Sequence, residues 1–222
     1  MTGEDLSLVL ESLGPIVLGA ITGTIPLALI SFALGLVIAV VVALMRLSKV
    51  RVVSGIARFY ISAVRGTPLL VQLFVIFYGL PSIGLTVDPW PSAIAAFSIN
   101  VGGYAAEIVR AAILSVPKGQ WEAAHVIGMS PPLALRRIIL PQAARVSVPP
   151  LSNTFISLVK DTSLASLILV TDLFRQTQEI AAFSGEFMLL YVEAALVYWV
   201  ICLVLSGGQN RIERRLDRYV AH

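Results

Sequence analysis

ISFALGLVIAVVVALM occupies positions 30–45 and carries no charge. It lies inside a longer charge-free run from Ser12 to Met45, and two more follow, Gly66–Val87 and Pro89–Ala106. A helix needs about 20 apolar residues to cross about 30 Å of hydrocarbon. Of the 222 residues 57% are apolar and 13% are charged, with a mean hydropathy of +0.88. An ordinary soluble domain is roughly a quarter charged. Soluble, disordered and fibrous classes are therefore excluded, and the chain reads as an integral membrane protein.

A β-barrel can also close its backbone hydrogen bonds in lipid, but its segments of about ten residues alternate apolar and polar. Continuous blocks such as Ile30–Met45 do not, so the fold class predicted is all-α. The first block is not a secretory signal, because such a signal begins with basic residues. Glu4, Asp5 and Glu11 precede this one, with no Lys or Arg.

Basic residues set the orientation. Arg46, Lys49, Arg51 and Arg58 follow the first block; Lys118, Arg136, Arg137 and Arg145 follow the third; Arg211, Arg214, Arg215 and Arg218 form the tail. Basic loops face the cytoplasm. The acids of the N-terminus, Asp88 and the stretch Asp172–Glu186 then lie outside. Five spans at about 15–45, 59–80, 91–115, 145–165 and 187–207 satisfy this distribution, with the N-terminus outside and the C-terminus cytoplasmic. Residues 1–222 form one domain. The first span is too long for one straight crossing, so it tilts or starts above the membrane. Lys160 and Asp161 interrupt the fourth.

Chemical motifs are scarce. Cys202 reads as a small buried hydrophobe, and His125 and His222 lack partners at metal-ligand spacing. No Lys precedes a Ser or Thr, so the chain has no phosphate-binding loop of the GxxxxGK[ST] type. No residue pattern suggests catalysis, and the chain is not expected to be an enzyme or to bind a cofactor.

The segment between spans three and four, residues 117–141, is the most informative. Trp121–Ile127 reads as a short helix ended by Gly128, since glycine takes the left-handed conformation readily. Ser130 reads as the cap of a second helix that opens with Pro131 and Pro132. Glu122-Ala123-Ala124, then Gly128 after three residues, then Ile138-Ile139-Leu140-Pro141 after nine, resembles the signature loop of ABC importer permease subunits. Arg65-Gly66-Thr67-Pro68-Leu69, Asn100, Tyr104–Glu107, Arg110, Leu151–Asn153, Ser157–Leu164 and Leu173–Arg175 resemble further elements of its polar amino-acid uptake branch. Ala57–Pro81 and Pro141–Leu164 are most similar to cystine permeases.

The resemblance implies a multi-pass protein of the bacterial plasma (inner) membrane, in contact with lipid. Its partners would be a second permease subunit, identical or a sister; a dimer of ABC ATPase subunits that bind ATP and Mg; an external substrate-binding protein; and an amino-acid substrate. Nucleic acid is not among them. Glu122, Ala123, Ala124, Gly128, Leu140 and Pro141 would couple the permease to the ATPase. A transporter or channel independent of an ATPase is the alternative. Secondary transporters commonly show paired repeats, and none is visible here.

Individual residues keep two readings each. Pro68 and Pro81 either kink or end span two, or take part in function. Gly102-Gly103 and Ala105-Ala106 allow close helix approach. Glu107 and Arg110 share a face, as a stabilising pair or as part of the path. Lys160 and Asp161 would complement the carboxylate and ammonium of a zwitterion, with Asn153 and Ser157 on the face of Lys160, and Arg65 and Glu107 also on the path. Alternatively Lys160 snorkels or pairs with Glu107 or Glu193.

Overall fold

The computed structural model describes residues 3–217, with side chains for 5–215; Met1, Arg218 and His222, named above, lie outside them. Every regular element among these residues is helical. Helix α1 runs unbroken over Asp5–Leu47, 43 residues, with one widened turn at Ala20–Thr24. At 1.5 Å per residue it extends about 64 Å, well beyond a bilayer of about 40–45 Å with its headgroups. The expected first span, 15–45, is therefore the inner part of a longer rod.

The second span is not one straight helix. α2 (Arg51–Gly66) and α3 (Leu69–Ile83) meet at 106°. Pro68 lacks an N–H, and its ring drives Thr67 to an extended φ of −123° and ψ of 146°. The expected span 59–80 thus contains a sharp break at Pro68, the kink that the sequence reading allowed there. Pro81 starts a tight final turn, Leu80–Ile83, which closes at Gly84 with φ 85°.

α4 covers Pro89–Ser115. α5, Lys118–Val126, begins three residues before the expected Trp121, directly after Pro117, so Glu122 sits in its second turn. Its end is a Schellman motif. Gly128, at φ 79°, donates to the His125 carbonyl at 3.0 Å, and Met129 donates to that of Ala124 at 3.0 Å. Ser130 occupies the cap position before Pro131, but its hydroxyl makes no capping bond.

α6 spans Pro131–Ile168 and bends by 50° into α7, Leu173–Ser184. The stretch expected as an external loop is thus mostly helix. Asp172 caps α7 by accepting from the Arg175 N–H at 2.8 Å, and Gly185 ends it at φ 81°. α8 runs over Phe187–Arg215. α1, α4 and α8 are each long and apolar enough to cross a membrane, and counting each bent pair as one span gives up to five.

Small residues let the helices close. A Cβ on Gly35 would meet Val101 at 2.7 Å, one on Gly102 Ile38 at 2.6 Å, and one on Gly103 Val64 at 2.6 Å. The side chains of Val101, Ile38 and Val64 therefore seat directly on the backbone of the facing helix, and α1, α2 and α4 pack closely. Tyr60 on α2 donates to the Ile99 carbonyl on α4 at 2.6 Å. At one end of the bundle Ala43, Val109, Ile113, Ile139 and Ala143 pack together, with Leu47 and Trp121 against them. At the other, Ile16 and Ala20 of α1 meet Leu173 and Ala194. There a Cβ on Gly19 would meet the Asp172 carbonyl at 2.8 Å, and one on Gly23 would run into the Thr171 carbonyl. Thr24 Oγ1 accepts from the Leu173 N–H at 3.2 Å.

Candidate functional site

A cavity of about 920 Å³ opens between the α2–α3 break, α4 and α6. Each wall follows from helix periodicity. Arg65, Thr67 and Pro68 come from the break; Asn100, Tyr104, Glu107 and Ala111 share one face of α4; Asn153, Ser157 and Asp161 recur every fourth residue on α6. Of the six expected path residues, five line this cavity: Arg65, Glu107, Asn153, Ser157 and Asp161.

Lys160 does not. It faces a separate cavity of about 560 Å³ with Phe174, Tyr191, Tyr198, Trp199 and Cys202. Asn153 and Ser157 lie near the same side of the helix as Lys160, but they line the cavity with Asp161 and not with Lys160. Its proposed structural partners are also taken. Glu107 Oε2 lies 2.7 Å from Arg110 Nη2, and Oε1 lies 3.5 Å from Arg46 Nε on α1. Glu193 makes no salt bridge among the described residues; its Oε2 accepts from the Ser12 hydroxyl at 2.6 Å.

Two ionic groups in the cavity have no salt-bridge partner among the described residues. The Arg65 guanidinium rests over the Tyr104 ring at 5.4 Å, a cation–π contact that holds the side chain without neutralising it. Asp161, on α6 and exposed to the cavity, makes no salt bridge among the described residues. A free cation and a free anion on different walls of one cavity suit a ligand carrying both charges.

Sequence reading missed Gln72, the residue that builds the break. Its Nε2 donates to the Val64 carbonyl at 2.8 Å and to Thr67 Oγ1 at 2.9 Å, while its Oε1 accepts from Asn100 Nδ2 at 3.1 Å. One amide thus ties α2, α3 and α4 together beside the cavity. The available signal was its position as a lone amide in the charge-free run Gly66–Val87.

The signature loop lies at the basic end of the bundle. Trp121 packs against the cluster there, Ala124 is buried, and Val126 and Ile127 project outward, 83% and 72% exposed. Glu122, Ala123, Gly128 and Pro141 are exposed and Leu140 is half-buried. Gln142 of α6 reaches Gln120 of α5 at 3.4 Å, so the loop is fixed to the helix that forms one cavity wall.

The chain is similar to known proteins in sequence and fold. L-cystine transport system permease protein TcyB of Bacillus subtilis is 60% identical over 221 residues, covering 99% of this chain and 94% of that protein. A probable amino-acid ABC transporter permease protein, YckA of the same organism, is 40% identical over 97% of this chain and 95% of its own. A crystal structure of an amino acid ABC transporter with histidines superposes with a TM-score of 0.89 at 35% identity, covering 97% of this chain and all of that one. Residues 31–218 match the family described as binding-protein-dependent transport system inner membrane component. The chain belongs to that family.

Proposed function

We propose that this chain is the permease subunit through which an ATP-driven importer passes a polar amino acid, with cystine the favoured cargo. The observation that carries the reading is the pairing of Arg65 and Asp161 across one cavity, each without a neutralising partner. Arg65 would bind the carboxylate of an amino acid and Asp161 its ammonium, replacing the Lys160–Asp161 pair expected from the sequence. Asn153 and Ser157 would add neutral hydrogen bonds. Cystine carries an amino-acid group at each end, and the relative named for cystine is 60% identical.

The remaining parts of the reading follow. A second permease subunit completes the path, and an external binding protein delivers the substrate. The exposed Val126–Ile127 edge of α5 docks on an ATPase subunit, which binds ATP and Mg and performs the hydrolysis. The basic loops are cytoplasmic, the N-terminus is external, and the assembly sits in the bacterial plasma (inner) membrane. Transport is a two-state rocking of helices, biased by ATP on one side and loaded binding protein on the other. The test is uptake of labelled cystine by cells lacking their own cystine importers and supplied with this permease, its ATPase and its binding protein. Uptake that requires ATP and that unlabelled cystine competes away supports the reading. Transport of another amino acid alone would replace cystine as the cargo, and transport without the ATPase would overturn the ABC mechanism.

A further inference from the structure

Between residues 12 and 87 the chain contains no Asp or Glu. Its five cations in that stretch are Arg46, Lys49, Arg51, Arg58 and Arg65. Arg46 is spoken for by Glu107, and Arg65 lies over Tyr104. The other three converge. Lys49, Arg51 and Arg58, with Ser48, Ser54 and Gly55, line a notch of about 520 Å³ where α1 turns into α2. None of the three has a carboxylate within ion-pair distance among the described residues. The two serines already make hydrogen bonds, Ser48 Oγ accepting from the Val50 N–H at 3.2 Å and Ser54 donating to the Arg46 carbonyl at 3.3 Å. The notch therefore offers three cations and no carboxylate, with the Ser48 O–H left as a further donor.

The faces of α2 give the notch a second property. At about 100° per residue, Ser54, Ala57, Ile61 and Val64 form the packed face. Val52, Ile56 and Phe59 form an outward apolar stripe, with Val52 and Phe59 70% and 76% exposed. Arg51, Gly55 and Arg58 fall between these two faces. A row of unneutralised cations thus runs beside an exposed apolar stripe, at the level where the apolar run of α1 stops at Met45.

We propose that this notch binds the phosphate headgroup of an anionic membrane lipid, whose acyl chains lie along Val52, Ile56 and Phe59. Charge complementarity selects an anion, and the adjoining apolar stripe selects one with hydrocarbon attached. The inference needs only that the chain spans a membrane, so it stands or falls separately from the choice of transported substrate.

The test uses the intact transporter, permease with its ATPase subunits, stripped of lipid in detergent. It is then offered phosphatidylglycerol or phosphatidylcholine in mixed micelles, and retained lipid is read by native mass spectrometry. Near a membrane surface each cation strengthens anionic-lipid binding about fivefold. The triple variant Lys49→Gln, Arg51→Gln, Arg58→Gln should therefore bind phosphatidylglycerol on the order of 100-fold more weakly, with phosphatidylcholine unchanged. Lys49→Arg with Arg51→Lys and Arg58→Lys, which keeps the charge, should retain it. If the triple variant does not assemble, Arg58→Gln alone should lose about fivefold. Equal phosphatidylglycerol binding by wild type and the glutamine variants overturns the proposal. So does displacement of the lipid by millimolar inorganic phosphate, which would make the notch a site for soluble anions. Crosslinking of Arg58→Cys to an ATPase subunit in the intact complex overturns it as well, by giving the notch a protein occupant.

Discussion

Asp161 and Lys160 are adjacent in the chain and line different cavities, and that difference is why the path proposed here keeps Asp161 and leaves out Lys160. Asn153, Ser157 and Lys160 do fall near one face of a helix, as their spacing suggests. The centre of the cavity-lining face, however, lies on the side that includes Thr154 and Leu158, which brings Asp161 in and leaves Lys160 beyond the rim. Spacing says which residues share a side; the packing of α4 and α8 decides which side is lined. Hydrogen bonds to a charged group contribute about 1.5–3 kcal/mol. Asp161→Asn should accordingly weaken uptake about 10- to 100-fold while the protein assembles normally, as measured by initial rates against substrate concentration. Lys160→Gln should change those rates far less. Wild-type kinetics in Asp161→Asn would remove the carboxylate from the path. Gln72→Leu strips hydrogen bonds from Val64, Thr67 and Asn100 at once. Each lost hydrogen bond costs about 0.5–1.5 kcal/mol, so this variant should lower the melting temperature of the purified transporter as well as its activity. An unchanged melting temperature would show that the break holds without Gln72.

At the scale of elements, ends were legible and bends were not. Gly128 marked the end of α5 because only a residue tolerant of positive φ closes a helix in that way, whereas the start was misplaced because Pro117 serves as well as any later residue. The 106° turn at Pro68 needed the structure, since proline announces a break but not its angle, which Gln72 and the packing on α4 determine. α7 was hidden because its buried face is short and its surroundings acidic. Gly128→Val forces a β-branched residue toward φ 79°, where the left-handed conformation costs about 1–2 kcal/mol. Glu122→Lys reverses a charge on the exposed side of α5. Both should reduce transport-coupled ATP hydrolysis and copurification of the ATPase severalfold while membrane insertion is preserved. Normal copurification and uptake in both variants would exclude α5 as the docking element.

For the whole molecule, composition revealed the solvent and the basic loops suggested an orientation. The convergence of Leu47, Val116 and Ile139 at one end explains why those loops travel together. With Cys202 replaced by Ala, a cysteine at position 88 should react with an impermeant thiol reagent in intact cells, and one at position 128 should react only after lysis. The opposite pattern would invert the topology. The unbroken course of α1 has a mechanical consequence. Near one end Gly23 and Thr24 grip the backbone between α6 and α7. Near the other, Arg46 holds Glu107, and Leu47 joins the cluster that includes Trp121 of α5. Between Gly23 and Arg46 lie about 35 Å of helix, over which a tilt of about 10° displaces the far end by about 6 Å. α1 is thus a lever with a load at each end. If α5 receives the push proposed above, α1 would carry it to the opposite end of the bundle as a single rod, beside the cavity and not through it.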